Sequence, residues 1–288
     1  SIMNSELILN EDGSDYHLNL KPEHIANTIL FVGDQSRVEK ITKHFDVIEF
    51  ETQKREFKTQ TGTYKNKRIT VISSGIGPDN IDIVLNELDA LVNIDLVTRK
   101  PKEKLTSLDI IRVGTSGAIQ KNVRIDSFLL STHGLDLTGM LHFYKIDSID
   151  NKEMENAFIK HANWNKNNAK PIVIEASPAL AAQFSDLDTH QGLTATSIGF
   201  YGPQGRVLRL PLADPSFNRK MNNFNFKGIQ ITNFEMETSA IYGLSKLLGH
   251  NAISLNAIIA NRFDGTFSEN PEKVIESLIR YVLEKIRD

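Results

Sequence analysis

Short apolar runs alternate with helical patterns from residue 28 to the C-terminus, and this alternation constrains the fold more than any other feature. Thr28–Val32 (TILFV) reads as a strand. Ser36–Phe45 reads as a helix, with Ser36 and Glu39 at capping-box spacing and Val38, Ile41 and Phe45 on one face. Arg68–Ser73 is a second strand. Gly75-Ile76-Gly77-Pro78 then turns into a helix carrying Ile81, Val84, Leu85, Leu88 and Leu91, and Pro78 suits a first helical turn. Asp109–Val113, Ser127–Ser131, Ile172–Glu175, Leu193–Ser197, Gly228–Thr232 and Ile253–Ala260 read as further strands. Ser177–Phe184, Ser239–Leu248 and Pro271–Ile286 read as helices. Strands that alternate with helices predict an α/β fold with a central sheet. No repeat or low-complexity linker divides the chain, so residues 1–288 are expected to form a single domain. The charged segment Thr98–Ser107 (TRKPKEKLTS) is expected to be a solvated surface excursion.

Composition excludes several function classes. The 33 basic and 36 acidic residues give a net charge of −3, which argues against a nucleic-acid partner or a basic membrane surface. There is no cysteine, so disulfides, thiol nucleophiles and cysteine metal sites are out. The first twenty residues carry early acids and no long apolar core, unlike a signal peptide. No apolar run approaches the roughly 18 residues of a membrane span. A cytoplasmic location is the expectation.

The chemistry concentrates at turns after strands. Asn233-Phe234-Glu235-Met236-Glu237-Thr238-Ser239 places two carboxylates at a strand-to-helix junction, where open α/β sheets bind ligands. A carboxylate there can accept from paired sugar hydroxyls, although an acidic residue also suits an ordinary helix N-terminus. Gly33-Asp34-Gln35-Ser36-Arg37 can turn backbone N–H groups and a guanidinium on an anion. Arg112-Val113-Gly114-Thr115-Ser116-Gly117 supplies a guanidinium, two hydroxyls and two glycines that admit a ligand to the backbone. Arg55 stands in Lys54-Arg55-Glu56-Phe57. In Gly199-Phe200-Tyr201-Gly202-Pro203-Gln204-Gly205-Arg206, the Gln204 amide and Arg206 fork can read a flat heterocycle, with Phe200 against its ring. The chain has no P-loop, and Gly75–Gly77 lacks the third glycine of a dinucleotide fingerprint. His133 and His142 read as structural or pocket-lining rather than as metal ligands.

Taken in order, YHLNL, VGDQSRVEKI, KREF, SSGIG, IRVGTSGAIQ, GFYGPQGR, NFEMETSA and IIANRF resemble the nucleoside phosphorylase superfamily, and within it the uridine phosphorylases. The likeness runs from His17 to the C-terminus. It implies a three-layer α/β/α fold with a mixed central sheet. It implies phosphate binding by Gly33, Arg37, Arg112 and Thr115, with Arg55 reaching in from a neighbouring subunit. Glu237, Met236 and Thr115 would hold the ribose, and His17, also from the neighbour, would contact its 5′-hydroxyl. Phe200, Gln204, Arg206 and Arg262 would read the base. The purine-specific hexameric relatives carry an aspartate where this chain has Arg262, so an arginine there points to a pyrimidine.

The reaction implied is reversible phosphorolysis of uridine to uracil and ribose 1-phosphate, with phosphate as co-substrate and no cofactor or metal. Arg112, Thr115, Arg206 and Glu237 would carry it. Phosphate attacks C1′ of an oxocarbenium-like sugar. Donors on the uracil carbonyls take up the charge of the leaving base. Glu56 and Ile76 match the relatives' interface potassium site, but Asn80 replaces a serine, which leaves potassium open. Phe234 replaces the usual tyrosine. Borrowed Arg55 and His17 require at least a homodimer, and a hexamer built as a trimer of dimers is the other known assembly. Arg206–Ser216 is the candidate closing loop. Two alternatives stand beside this reading. One is a nucleosidase or a phosphorylase for another nucleoside, and the other is a catalytically silent nucleoside-binding homologue.

Overall fold

The computed structural model describes residues 1–186 and 189–287. In chain order its strands are β1 (Thr28–Val32), β2 (Val47–Lys54), β3 (Phe57–Tyr64), β4 (Lys67–Ser73), β5 (Ile94–Asp95), β6 (Lys100–Pro101) and β7 (Asp109–Ala118). They continue as β8 (Ser127–Asp136), β9 (Ile172–Glu175), β10 (Thr189–Thr196), β11 (Asn225–Phe226), β12 (Ile229–Glu235), β13 (Asn251–Asn261) and β14 (Thr266–Phe267). The α-helices are α1 (Gln35–Thr42), α2 (Pro78–Asn93), α3 (Lys152–Ala162), α4 (Pro178–Gln183), α5 (Phe217–Asn223), α6 (Thr238–Leu248) and α7 (Pro271–Ile286). The expected α/β class is present, with helices packed around one large mixed sheet.

The sheet runs β11-β12-β10-β8-β13-β7-β1-β4-β3-β2. β1 lies parallel to both β4 and β7, and β13 lies parallel to β7. The fully buried run of β1 suits a strand covered on both faces. β12 pairs in parallel with β10 and also meets the end of β7, with Asn233 opposite Ala118 and Phe234 opposite Gly117. The sheet therefore curls back on itself. The buried amide of Asn233 holds this closure: its Nδ2 donates to Ser116 Oγ at 2.9 Å, and its Oδ1 accepts from Thr194 Oγ1 at 2.8 Å. The curl brings the far ends of β7 and β12 together, and with them two motifs separated by more than a hundred residues.

Local detail corrects parts of the sequence reading. The cap of α1 is Asp34, whose carboxylate accepts from Ser36 N at 2.9 Å; Ser36 lies inside the first turn. A Ser36–Glu39 capping box does not form, because Glu39 instead accepts from Lys58. Sequence reasoning passed over the hairpin β2–β3 and helices α3 and α5, although α3 carries Met154, Phe158 and Ala162 at helical spacing on one buried face. Segment 98–107 is exposed as expected, apart from a two-residue ladder between β5 and β6.

Candidate active site

A cavity of about 920 Å³ opens where β1, β7, β12 and β13 end. It brings together Gly33, Arg37, Arg112, Thr115, Phe200, Gln204, Arg206, Met236, Glu237 and Arg262. Ten of the twelve residues singled out in the sequence thus line one space.

The two carboxylates of the Glu-Met-Glu run have different duties. Glu235, the last residue of β12, accepts from the backbone N–H groups of Glu237 and Thr238 at 2.9 and 2.5 Å. Its other oxygen accepts from Thr196 Oγ1 at 2.6 Å. Glu235 thereby satisfies the exposed donors at the start of α6, where a negative charge is favoured. Glu235 Oε1 also lies 3.8 Å from Arg112 Nε, and Glu237 meets the same guanidinium. Glu237 Oε1 accepts from Arg112 Nη2 at 3.1 Å and its Oε2 from Gly77 N at 2.9 Å. Burial pushes the Glu237 carboxyl up, while Arg112 pulls it back toward the ionised form.

Arg112 is 8% exposed and threads along its own strand. Its Nη1 donates to Asn256 Oδ1 at 3.1 Å and to Ser254 Oγ at 3.3 Å. Gly114 makes room for this path: a Cβ there would sit 2.3 Å from Arg112 Nη1. Arg37 is different. Its guanidinium makes no hydrogen bond or ion pair among the described residues, yet it is half-buried beside Arg112. Burial and the Arg112 charge both lower its pKa. Two neighbouring guanidiniums, one of them unpartnered, favour an anion between them. Thr115 adds a hydroxyl with no hydrogen-bond partner among the described residues, and the turns after β1 and β4 are joined by Gly75 N donating to Gly33 O at 3.0 Å.

Another part of the wall is a built edge of donors. Gln204 is 3% exposed, and its Oε1 accepts from Arg206 Nη1 at 2.5 Å. Arg206 also donates to Phe200 O at 2.6 Å and stacks on the Phe200 ring, 3.8 Å from its centroid. Arg262 Nη1 donates to Gln204 O at 2.8 Å and lies over Phe234 at 5.2 Å. Burial, then the nearby charge of Arg206, brings the Arg262 pKa down to about 10. Gly205 adopts φ +75°, and a Cβ there would meet Asn218 Oδ1 at 1.9 Å. Asn218 in turn donates to Gly205 O at 2.9 Å and pins the loop to α5. The downstream segment 206–216 is open to solvent, with Leu208 and Leu210 largely exposed.

His17 and Arg55 do not line this cavity. Arg55 sits at the β2–β3 turn with φ +53° and makes no side-chain hydrogen bond or ion pair among the described residues. His17 Nδ1 lies 2.6 Å from Glu87 Oε2, and the charges of Arg55 and Lys54 reach it. The two residues thus share one region outside the cavity of their own chain. His133 and His142 do not line the cavity either: His133 bonds Thr132 Oγ1 and His142 bonds Lys170 O, so both are structural. The amide of Asn80 donates to Glu56 Oε2 at 3.1 Å and to Ile76 O at 3.3 Å.

Sequence reasoning missed the supports of this site: Gly77 N, Asn218, Ser254, Asn256 and Thr196. Small polar residues within strands and loops carry no pattern of their own, so nothing in the sequence marks them.

The phosphorylase superfamily profile matches residues 27–286. A uridine phosphorylase of Thermococcus kodakarensis is 31% identical over 266 residues, covering 91% of this chain and 83% of that protein. A uridine phosphorylase of Escherichia coli is 28% identical, covering 86% of each chain. A DeoD-type purine nucleoside phosphorylase of Bacillus thuringiensis is 27% identical over 93% of this chain and 97% of its own. Among solved structures, a Trypanosoma brucei nucleoside phosphorylase described as showing uridine phosphorylase activity superposes with a TM-score of 0.88. It is 27% identical and covers 97% of this chain and 99% of its own. With a fold, a cavity and a profile match that run nearly end to end, the chain belongs to the phosphorylase superfamily.

Proposed function

We propose that this protein is a uridine phosphorylase, which cleaves uridine with phosphate to give uracil and ribose 1-phosphate, reversibly. One observation carries the reading. The unpartnered Arg37 stands beside Arg112 in the same cavity as the Gln204–Arg206–Arg262 edge, and Glu237 is bonded to Arg112. An anion site, a sugar acceptor and a pyrimidine reader within one space match the three parts of the substrate pair.

In this mechanism Arg37, Arg112, Thr115 and Gly33 hold phosphate below C1′. Aiming the two reactants lowers the barrier by as much as about 7–11 kcal/mol in favourable cases. Glu237 accepts from the ribose hydroxyls, with Met236 against the sugar. As the glycosidic bond breaks, C1′ gains positive character and the electron pair moves into the base. Arg206 and Gln204 donate to the uracil oxygens on which that charge gathers, and Arg262 adds a further cation nearby. Phosphate completes the bond to C1′, and a proton from solvent neutralises the uracil. Arg55 and His17 serve the cavity of a second copy, so the working unit is at least a homodimer, and a hexamer is the larger form. The whole chain acts as one catalytic domain in the cytoplasm, with no cofactor assigned. The Asn80 amide already turns a donor toward Glu56 and Ile76 O, which disfavours a cation there.

Ultraviolet assay of uridine with and without phosphate, beside inosine, tests this reading. Phosphate-dependent loss of uridine alone is expected. Cleavage without phosphate would make the protein a nucleosidase, and cleavage of inosine alone would make it a purine enzyme.

A further inference from the structure

A second cavity of about 650 Å³ lies behind the base-reading loop. It sits beyond the carboxyl ends of β8 and β10, which run parallel with Asp136 opposite Thr196. Such strand ends are where open α/β sheets take ligands. Ser197, the residue after β10, lines the cavity, and it is fully buried with no hydrogen-bond partner for its Oγ. Buried polar groups in a native fold are normally satisfied.

The remaining wall fits an uncharged flat molecule. Trp164 lines the space; its Nε1 donates to Ala169 O at 2.9 Å, and its ring also packs against Phe158 with 5.5 Å between centroids. The amides of Asn163, Asn167 and Asn168 line the space and make no side-chain hydrogen bond among the described residues. Each offers one acceptor and two donors. Lys220 and Asp214 pair at 2.7 Å, so together they add no net charge to the cavity wall. Gly202 and Pro203 line this space, in the same loop that carries Gln204 into the first cavity. Ser197 N also donates to Glu235 O at 2.9 Å.

We infer that this cavity is a second ligand site, for an uncharged pyrimidine base or nucleoside, placed to act on the base-reading loop through Pro203. The choice of a pyrimidine rests on the proposed activity; the flat, uncharged character of the ligand does not.

Trp164 is the chain's single tryptophan, so intrinsic fluorescence reports on this cavity directly. Uracil and uridine are titrated separately into the full protein in phosphate-free buffer, with uridine 5′-phosphate as the charged control. A saturable change in Trp164 emission is expected for uracil, uridine or both, at least tenfold weaker for the charged control. The tighter of the two neutral ligands identifies product or substrate as the source. Ala213→Phe, which fills the rim, is expected to weaken binding at least tenfold, and Ser197→Ala several-fold. Arg262→Ala, in the first cavity only, is expected to leave the response in place. The inference is overturned if no neutral pyrimidine gives a saturable change. It is equally overturned if Arg262→Ala abolishes the response while Ala213→Phe and Ser197→Ala retain it, since the signal would then report the first cavity. A Trp164 response in a protein that cleaves no uridine would remove the proposed activity and leave the site standing.

Discussion

Arg112 Nη2 and Glu237 Oε1 meet at 3.1 Å in a buried ion pair that joins β7 to the start of α6. Neither charge is idle in the free protein. Each is held by a second neutral partner, Asn256 for the arginine and Gly77 N–H for the carboxylate. The pair fixes the direction of both groups before any substrate arrives, which is the condition for electrostatic stabilisation without reorganisation.

Replacing Glu237 with glutamine keeps the volume but removes the charge that faces Arg112. The expected fall in kcat/KM for uridine is about 100- to 1000-fold, by analogy with the removal of one preorganised polar group. Steady-state kinetics with uridine and saturating phosphate measures it, and near-normal turnover would take Glu237 out of the ribose site.

Gly114→Ala tests the path of Arg112. The new Cβ would lie 2.3–2.7 Å from three guanidinium atoms, so Arg112 must move. The KM for phosphate is expected to rise roughly 10- to 100-fold, the worth of one charged hydrogen bond. An unchanged phosphate KM would show that Arg112 does not hold the anion.

Arg206→Ala removes both the fork beside Gln204 and the stack on Phe200. Arg206 lies in an open loop, so the thermal midpoint should shift by only a few degrees while uridine turnover falls about 100-fold or more. Melting and turnover measured on the same preparation separate the two effects, and wild-type turnover in a folded variant would exclude Arg206 from the chemistry.

Arg55 offers a test of assembly. Because it lies outside its own chain's cavity, Arg55→Ala mixed with Glu237→Gln should regain activity in hybrid oligomers. In a dimer one of the two sites would then be intact. Hybrids no more active than either parent would mean that Arg55 serves its own subunit.

Asp15 sets a dependence of stability on pH. Burial, helped by the neighbouring Glu87 carboxyl, raises its pKa to about 8 from an ordinary value of 3.8. A raised pKa means that the native state binds the proton more tightly, so the stabilisation is complete at low pH and is lost as pH climbs toward about 8. The thermal midpoint of the wild type should therefore fall between pH 5 and pH 8 relative to Asp15→Asn. Parallel curves for the two proteins would show that Asp15 titrates normally.

Much of this architecture was legible in the chain. The apolar runs of β1, β4 and β13 and the amphipathic α2 and α7 announce themselves by period and length, because burial of one face requires that pattern. The residue types of the site were legible too, since glycines, arginines and carboxylates at strand ends are rare enough to notice. The difference between Glu235 and Glu237 was not. Both sit in one motif and both reach Arg112, and only the packing of α6 against Thr196 and of Gly77 against the cavity gives Glu235 the donors of a helix terminus and Glu237 those of a glycine turn.

The sequence by itself determined the class of fold and the inventory of charged groups, because both follow from local period and residue chemistry. The tertiary structure decided how those groups meet. Asn233 closes the sheet through Ser116 and Thr194, and without that curl Arg112 and Glu237, 125 positions apart, would not share a hydrogen bond. Long-range pairing depends on the geometry of many strands at once, and no single segment of the chain encodes it.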